Sequence, residues 1–507
     1  MGKLKIHRLS ALVIALLLLG GCRVGPNYCG PPPAPVATSW QNHGDETVRF
    51  VSPDLPGWWT RFNDPVLDAL IGEAISQNLD LKVAAERIFE ARALRCTVRS
   101  NLFPQISKDA SYRYSKSSTN SSGIGGLAGA FNSASDQWSY GIGGSWEIDV
   151  FGRLRRLVEA ADADIAVTVE DYRDTMIILL ADVATNYVEA RSYQLRLQYA
   201  QDNLEIQQST LNIAQKRFKA KLGGELDVAQ AQANAETTAS EIPNLLVGYQ
   251  QTLNRLSVLL ATPPGTVDQF LAEQAPIPTP PTEIAVGIPA ELLRRRPDIR
   301  RAERELAAQT ARIGGAGGEL YPKFSILGSF GLDAQDFSKL MDAGSIAASV
   351  GPSMQWNILN FGKFRCNVYV QESRQRQRCL LYQNVVLRAG EEVDNALVNY
   401  VRQKQRRATL LRAVSASQRA VTLSMGRDEI GIGQISFQRV LDSQRSLLQS
   451  QDQLALNEAS IAVSLIQVYR ALGGGWEGAA AIAASSEPST AEEMAPQEAV
   501  PVPLPQP

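Results

Sequence analysis

The sequence predicts a membrane α+β fold in which four strands per chain enter a shared, trimeric 12-stranded transmembrane β-barrel that continues into a long α-helical coiled-coil tunnel. Three observations predict it. A seven-residue repeat runs through a long helical stretch, two-residue alternation marks strands of membrane-crossing length, and the body of the chain is written twice.

The chain opens with Lys3, Lys5 and Arg8, then the apolar run Ala11 to Leu19, then Leu19-Gly20-Gly21-Cys22. That run is too short for a comfortable membrane span, and small residues immediately before a cysteine are what lipoprotein processing requires. Residues 1–21 are therefore expected to be removed and Cys22 to become the lipidated first residue, with outer-membrane lipid around it. A signal anchor with an incidental cysteine is the alternative. Arg23 follows in place of the Asp of an inner-membrane retention signal, which favours the outer membrane and makes the cell a diderm bacterium. Residues 22–63 then form an extended arm, with prolines between Pro31 and Pro35.

The first structural repeat is expected over 64–262: a helix, a strand pair at 105–151 and a long helix pair. In the long pair, Leu197, Leu204, Leu211 and Phe218 form one seven-residue series and Gln194, Gln201, Gln208 and Gln215 interleave with it. A spacing that averages 3.5 keeps one seam on a partner helix over many turns. From Arg153 to Leu222 such a helix would run roughly 100 Å. The glutamines are read as helix-packing positions rather than as the lining of a polar tunnel.

In the strand pair the period switches to two. Ile106, Ala110, Tyr112 and Tyr114 take one face, with Lys108 as the polar intruder, and Trp138, Tyr140, Ile142, Trp146, Ile148 and Val150 do the same in the next strand. Phe324, Ile326, Phe330 and Leu332, then Ile346, Val350, Met354, Trp356 and Ile358, repeat the pattern. A soluble sandwich also alternates. Aromatic strand ends and strand lengths of ten or more favour a barrel in lipid. Four strands cannot close one, and an open edge in lipid leaves backbone groups unpaired, so closure must come from further copies; three give twelve strands.

A second repeat, 289–475, follows a Pro-rich linker at 263–288, with its strand pair at 323–361. Asn101-Leu102-Phe103-Pro104 returns as Glu319-Leu320-Tyr321-Pro322, Trp146-Glu147-Ile148 as Trp356-Asn357-Ile358, and Val228-Ala229-Gln230 as Val440-Leu441-Asp442. Matches in one order at offsets of 210 to 218 mean that a whole unit was duplicated. The tail, 476–507, is rich in Ala, Glu, Ser and Pro without apolar periodicity and reads as disordered.

Composition narrows function. The formal charge of −2 makes nucleic acid an unexpected partner, and one histidine beyond the signal, His43, leaves little for metal or Ser-His-Asp chemistry. No enzyme activity and no cofactor are expected. Besides Cys22 the chain has Cys29, Cys96, Cys366 and Cys379. Cys366 and Cys379 lie about 20 Å apart on one helix, too far to bridge. Cys96 and Cys366 both fall near helix–strand junctions and could meet in an oxidising periplasm, but free buried thiols are the expectation.

Three segments in order, Cys22-Arg23-Val24-Gly25-Pro26-Asn27-Tyr28, Trp58-Trp59-Thr60-Arg61-Phe62-Asn63-Asp64-Pro65 and Leu292-Leu293-Arg294-Arg295-Arg296-Pro297-Asp298-Ile299-Arg300-Arg301-Ala302-Glu303, resemble the TolC-type outer-membrane efflux channels. The branch is the lipoprotein one that serves resistance-nodulation-division pumps, and the likeness covers nearly the whole mature chain. It implies a homotrimer with a barrel in the outer membrane, a helical tunnel across the periplasm and an iris-like constriction at the tunnel tip. A periplasmic adaptor protein and an inner-membrane resistance-nodulation-division pump would dock there, and the chain would be a passive conduit.

The helix-pair breaks place the tips, and the adaptor-docking candidates, at Leu222, Gly223 and Gly224 in the first half and at Gly431 and Gly433 in the second, where glycine permits the reversal. Asp227 and Asp442 follow. Carboxylates near a helix start are favoured by the macrodipole, which is the simpler reading. The resemblance implies gating roles for both, with Arg439 where the prototype has a second acidic residue, Ile430 at its gate tyrosine and Lys221 at its first tip glycine. An Arg439–Asp442 pair at i, i+3 would be a weak solvated contact. Arg294 to Arg296 read as a solvated helix start or, alternatively, as a site for anionic lipid or a partner. The competing functions are the exit duct of a type I protein secretion system and a trimeric coiled-coil surface scaffold with a barrel anchor. The second predicts one anchor at a chain end, whereas the strand pairs here are embedded twice.

Overall fold

The computed structural model describes residues 23–37, 39–40, 48–49, 55–116, 135–281, 284–287, 295–430 and 437–477. Residues 1–21, expected to be removed, as well as Cys22, Gly431, Gly433 and the residues beyond 477 lie outside the described residues. In chain order the main elements are α1 (Pro65–Gln77), α2 (Leu79–Ser100), β1 (Gln105–Ser115), β2 (Ser135–Ile148), α3 (Arg153–Lys219), α4 (Glu225–Leu259), α5 (Pro297–Gly318), β3 (Lys323–Ala334), β4 (Ile346–Gln355), α6 (Lys363–Ile430) and α7 (Phe437–Ala471). The duplication is visible in element lengths. α2 and α5 have 22 residues each, α3 and α6 have 67 and 68, and α4 and α7 have 35 each.

Two compact units draw on both repeats rather than following them in sequence: residues 1–35, 85–170 and 298–387 make the first, and 36–84, 171–297 and 388–507 the second. The first holds the sheet, ordered β1-β2-β3-β4 and antiparallel throughout. Its register sets one alternating side chain in line with the next. Lys108, Ile142, Phe330 and Ala348 form one row, and Ala110, Tyr140, Leu332 and Ile346 the row beside it. The apolar series of all four strands therefore share one face. On it Ile106 is 75% exposed, Phe330 62% and Val350 83%, so the described residues leave this face uncovered.

The opposite face is polar and ties itself laterally. Ser111 bonds Ser139 at 2.7 Å, Ser115 bonds Ser135 at 2.9 Å, Ser329 bonds Ser349 at 2.7 Å, and Gln137 donates to Asp333 at 3.3 Å. Lys108, exposed on the apolar face, holds its ammonium 5.1 Å from the centre of the Tyr140 ring, where the ring face attracts the cation. The strands end earlier than the alternation suggests. After Ile148 and after Gln355 the backbone makes the same tight turn, with Val150 N–H donating to Ile148 O at 2.8 Å and Ile358 N–H to Trp356 O at 3.0 Å. Val150, Trp356 and Ile358 thus lie past the sheet. The indoles of Trp146 and Trp356 donate to Leu102 O and Leu320 O at 2.9 and 3.1 Å, so each repeat pins its second strand to the turn before its first.

The second unit is helical, built from α1, most of α3 and α6, and α4 and α7. Leu180, Tyr187, Leu256, Leu397, Tyr400, Leu465 and Tyr469 are at or near zero exposure and form its centre. A two-residue parallel bridge, Val48–Arg49 to Ile284–Ala285, adds a contact that periodicity could not announce.

Candidate channel tip and the motifs that support it

The α3–α4 reversal is made differently from the expectation. Gly223 and Gly224 do not take the left-handed conformation; Lys221 does, at φ 58°. Leu222 N–H bonds Arg217 O at 2.8 Å and Lys221 N–H bonds Phe218 O at 2.9 Å, the paired closure of a helix C-terminus that usually places glycine where Lys221 stands. Gly224 then leads α4 with φ −94° and ψ 157°, an ordinary extended entry. Asp227, third in α4, accepts the Gly224 N–H at 3.1 Å, so its carboxylate serves the helix start.

Three helix ends meet at this reversal. Ala214 of α3, Ala231 of α4, and Phe437 and Leu441 of α7 form a buried cluster, with Leu211 and Val228 packed on it. The cluster brings the starts of α4 and α7 together, and with them the neighbourhoods of Asp227 and Asp442. Asp442 is exposed and is the sixth residue of α7, past the first turn in which the macrodipole acts. Its ionic partner is Arg445 at 3.6 Å, with Gln438 Nε2 donating to it at 3.5 Å. The expected pairing with Arg439 is not the one formed. Both arginines stand three residues away, and the structure selects the one on the C-terminal side.

Above the tip the heptad is real, and its seam is wider than the leucine series. Leu197 is buried and Leu211 packs on the tip cluster, and beside them Ala200, Asn203, Gln207, Thr210 and Ala214 are buried, while Gln201, Gln208, Gln215 and Phe218 are exposed in the single chain. Of the predicted glutamines, Gln194 packs as expected, donating to Tyr249 Oη at 3.0 Å and Leu271 O at 2.7 Å. Rungs across to α7 keep the seven-residue step: Gln444 donates to Thr210 at 2.7 Å and Asn203 to Gln451 at 2.7 Å. Ser424–Ser443 and Ser417–Ser450, at 3.1 and 3.4 Å, repeat that step between α6 and α7.

The sequence motifs are clamps. Trp58, 1% exposed, stacks on Tyr469 with centroids 5.3 Å apart. Asp64 caps α1 through the N–H groups of Val66 and Leu67 and accepts the Tyr187 hydroxyl at 2.6 Å, while Arg191 donates to the same phenol at 3.1 Å. Burial, and then the bond to Asp64, hold the Tyr187 phenol well above the usual tyrosine range. Arg296 is not solvated as expected. It is 7% exposed, donates to Ala471 O at 2.8 Å and pairs with Glu392 at 2.7 Å, so it locks the end of α7 to α6; Arg294 lies outside the described residues.

In the first unit the arm beyond Cys22 is held equally firmly. Buried Arg156 donates to Val24 O, Gly25 O and Asn27 Oδ1 at 3.2, 3.2 and 2.7 Å, and Val24 N–H bonds Phe151 O at 3.1 Å. Gly25, at φ +95°, passes so close to α5 that an added Cβ would lie 2.4 Å from Gly314 Cα. The residue after Cys22 is thereby fixed beside the turn that ends β2. That buried Arg156 was not singled out in the sequence, because Arg153, Arg155 and Arg156 follow Phe151-Gly152 as a cluster and nothing in it marks one arginine for burial.

An open four-stranded sheet with one lipid-type face, joined in one chain to heptad helices that meet at a tip, defines a channel subunit of the outer membrane. The chain belongs to the outer membrane efflux protein family, whose model matches residues 70–262 and 288–474. It is 32% identical over 439 residues to nodulation protein T of Rhizobium leguminosarum bv. trifolii, covering 87% of this chain and 91% of that protein. It is 30% identical over 477 residues to the solvent efflux pump outer membrane protein SrpC of Pseudomonas putida, covering 92% and 98%. Among solved structures, the outer-membrane channel OprN superposes with a TM-score of 0.80 at 32% identity, over 90% of this chain and all of that one. The chain is an outer-membrane efflux channel protein, and its relatives are channel proteins rather than enzymes.

Proposed function

We propose that three copies of the chain close a twelve-stranded barrel and a helical tunnel, and that this homotrimer is the passive outer-membrane conduit of a tripartite efflux system. One observation carries the reading. The sheet presents a continuous apolar face across all four strands, while β1 and β4 leave their outer edges without a partner among the described residues. Lipid can cover that face but cannot satisfy those edges, so further copies must. The chain has no catalytic role and needs no cofactor in this reading. Cys22 carries lipid, consistent with Arg23 and Val24 being held at the end of β2. The sequence repeats 64–262 and 289–475 each supply a strand pair and a helix pair. The tips around Leu222, Gly223, Gly224, Gly431 and Gly433 receive a periplasmic adaptor linked to an inner-membrane resistance-nodulation-division pump, and Asp442, with Asp227 nearby, belongs to the constriction.

The test is a deletion in the native host, scored by retention of a fluorescent efflux dye and by survival in a panel of toxic small molecules. Retention and sensitivity that rise on deletion and fall on re-expression are expected. Unchanged retention together with loss of a secreted protein from the medium would instead make the chain a secretion duct.

A further inference from the structure

The chain contains one seam between its two repeats, and that seam is a template for the seam between copies. Within the chain β2 pairs with β3, with Gly144 opposite Gly328 and Tyr140 opposite Leu332, and Phe151 stacks on Tyr321 with ring centroids 4.7 Å apart. The repeats are related by 210 residues from Trp146 to Trp356 and by 218 from Phe103 to Tyr321. Carried through those offsets, β4 of one copy pairs with β1 of the next. Met354 then stands opposite Ala110 and Val350 opposite Tyr114, apolar face continuing apolar face, and Phe361 falls on Phe103. Phe361 is 93% exposed and Phe103 56%, as expected of side chains that a second copy covers.

The same operation places two thiols together. At the internal seam buried Gly314 of α5 meets buried Arg156 of α3, and a Cβ added to Gly314 would lie 2.8 Å from Arg156 Cγ. One carbon–carbon bond separates Cγ from Cβ, so the two Cβ positions are at most about 4.3 Å apart, within the span of roughly 3.5–4.5 Å that a disulfide requires. The counterpart of Gly314 is Cys96, and the counterpart of Arg156 is Cys366. Both are free and exposed in the single chain, not buried as the sequence suggested.

We propose that Cys96 of one copy and Cys366 of the next form a disulfide that closes each seam of the assembly; this rests on the homotrimer reading. The oxidant is a disulfide-bearing protein of the oxidising periplasm. The Cys96 thiolate attacks its S–S bond and forms a mixed disulfide, and the Cys366 thiolate then attacks the Cys96 sulfur. The oxidant leaves as a dithiol carrying the two electrons and the two protons.

The experiment uses the full chain from native membranes, with thiols blocked by N-ethylmaleimide at lysis. Denatured, unreduced protein should run at three chain masses and collapse to one on reduction, and C96S or C366S alone should abolish every covalent species. Co-expressing C96S with C366S should give a covalent pair but no covalent trimer, because each chain then holds one half of one bond. Native mass spectrometry in detergent counts copies independently. Three copies with Cys96 and Cys366 both labelled by the blocker, or a bridge mapped to Cys29 or Cys379, would overturn the disulfide and leave the trimer standing. A single copy would overturn both.

Discussion

Lys221 holds a left-handed backbone at a position where a side chain costs about 1 kcal/mol relative to glycine. Replacing it by glycine should therefore stabilise the α3–α4 reversal by roughly that amount, read as a higher midpoint in urea unfolding of the detergent-solubilised protein. An unchanged or lower midpoint would mean that Lys221 makes a compensating contact. Asp442 and Arg445, both more than half exposed, are a weak pair in the single chain. In the proposed trimer, three copies of Asp442 near one axis would attract cations. Asp442→Ala should weaken divalent-cation block in planar-bilayer recordings by roughly fivefold, the factor for a charge contact worth about 1 kcal/mol. Arg445→Ala should strengthen the block, and Arg439→Ala should change it less. The acidic position was legible from its place after the tip. Its partner was not, because residues at i−3 and i+3 are equally near on a helix and only tertiary packing separates them.

At the scale of elements, periodicity named α3 and all four strands of the sheet, and the duplication carried the long helix pair into the second half. The alternation even placed the correct side chains on one sheet face, since the step of two leaves a single phase for a strand with apolar and polar sides. Helix phase was harder. The Leu197, Leu204 and Leu211 series stands out by hydrophobicity, yet the buried seam also uses Ala200, Asn203, Thr210 and Ala214, small or polar residues that allow close approach and cross-helix bonds. Ala214→Leu should thus overpack the cluster with Ala231, Phe437 and Leu441 and cost about 1–3 kcal/mol, measured as a lower unfolding midpoint. Exposed Gln208→Leu, on the same helix, should leave the midpoint almost unchanged. The strand ends at Ile148 and Gln355 were overrun by alternation because the turns after them keep side chains alternating for a further residue or two.

For the whole molecule, the duplication was the most informative property of the sequence, since it turns one strand pair into two and an internal seam into a prediction for the seam between copies. Sequence alone did not reveal that each compact unit takes elements from both repeats, because periodicity reports faces and not partners. The buried clamps, Arg156 on the N-terminal arm and Arg296 on α7, were invisible for a related reason: arginine is normally a surface residue, and its burial depends on carbonyls supplied from distant segments. The central claim is that copies of this chain complete one barrel in lipid, and cryo-electron microscopy of the protein in nanodiscs tests it most directly. The account predicts three copies and twelve strands, with β4 of each copy hydrogen-bonded to β1 of the next, Met354 opposite Ala110, and the face bearing Ile142, Phe330 and Val350 against lipid. A different number of copies, an edge left unpaired in the bilayer, or that apolar face turned inward would contradict it.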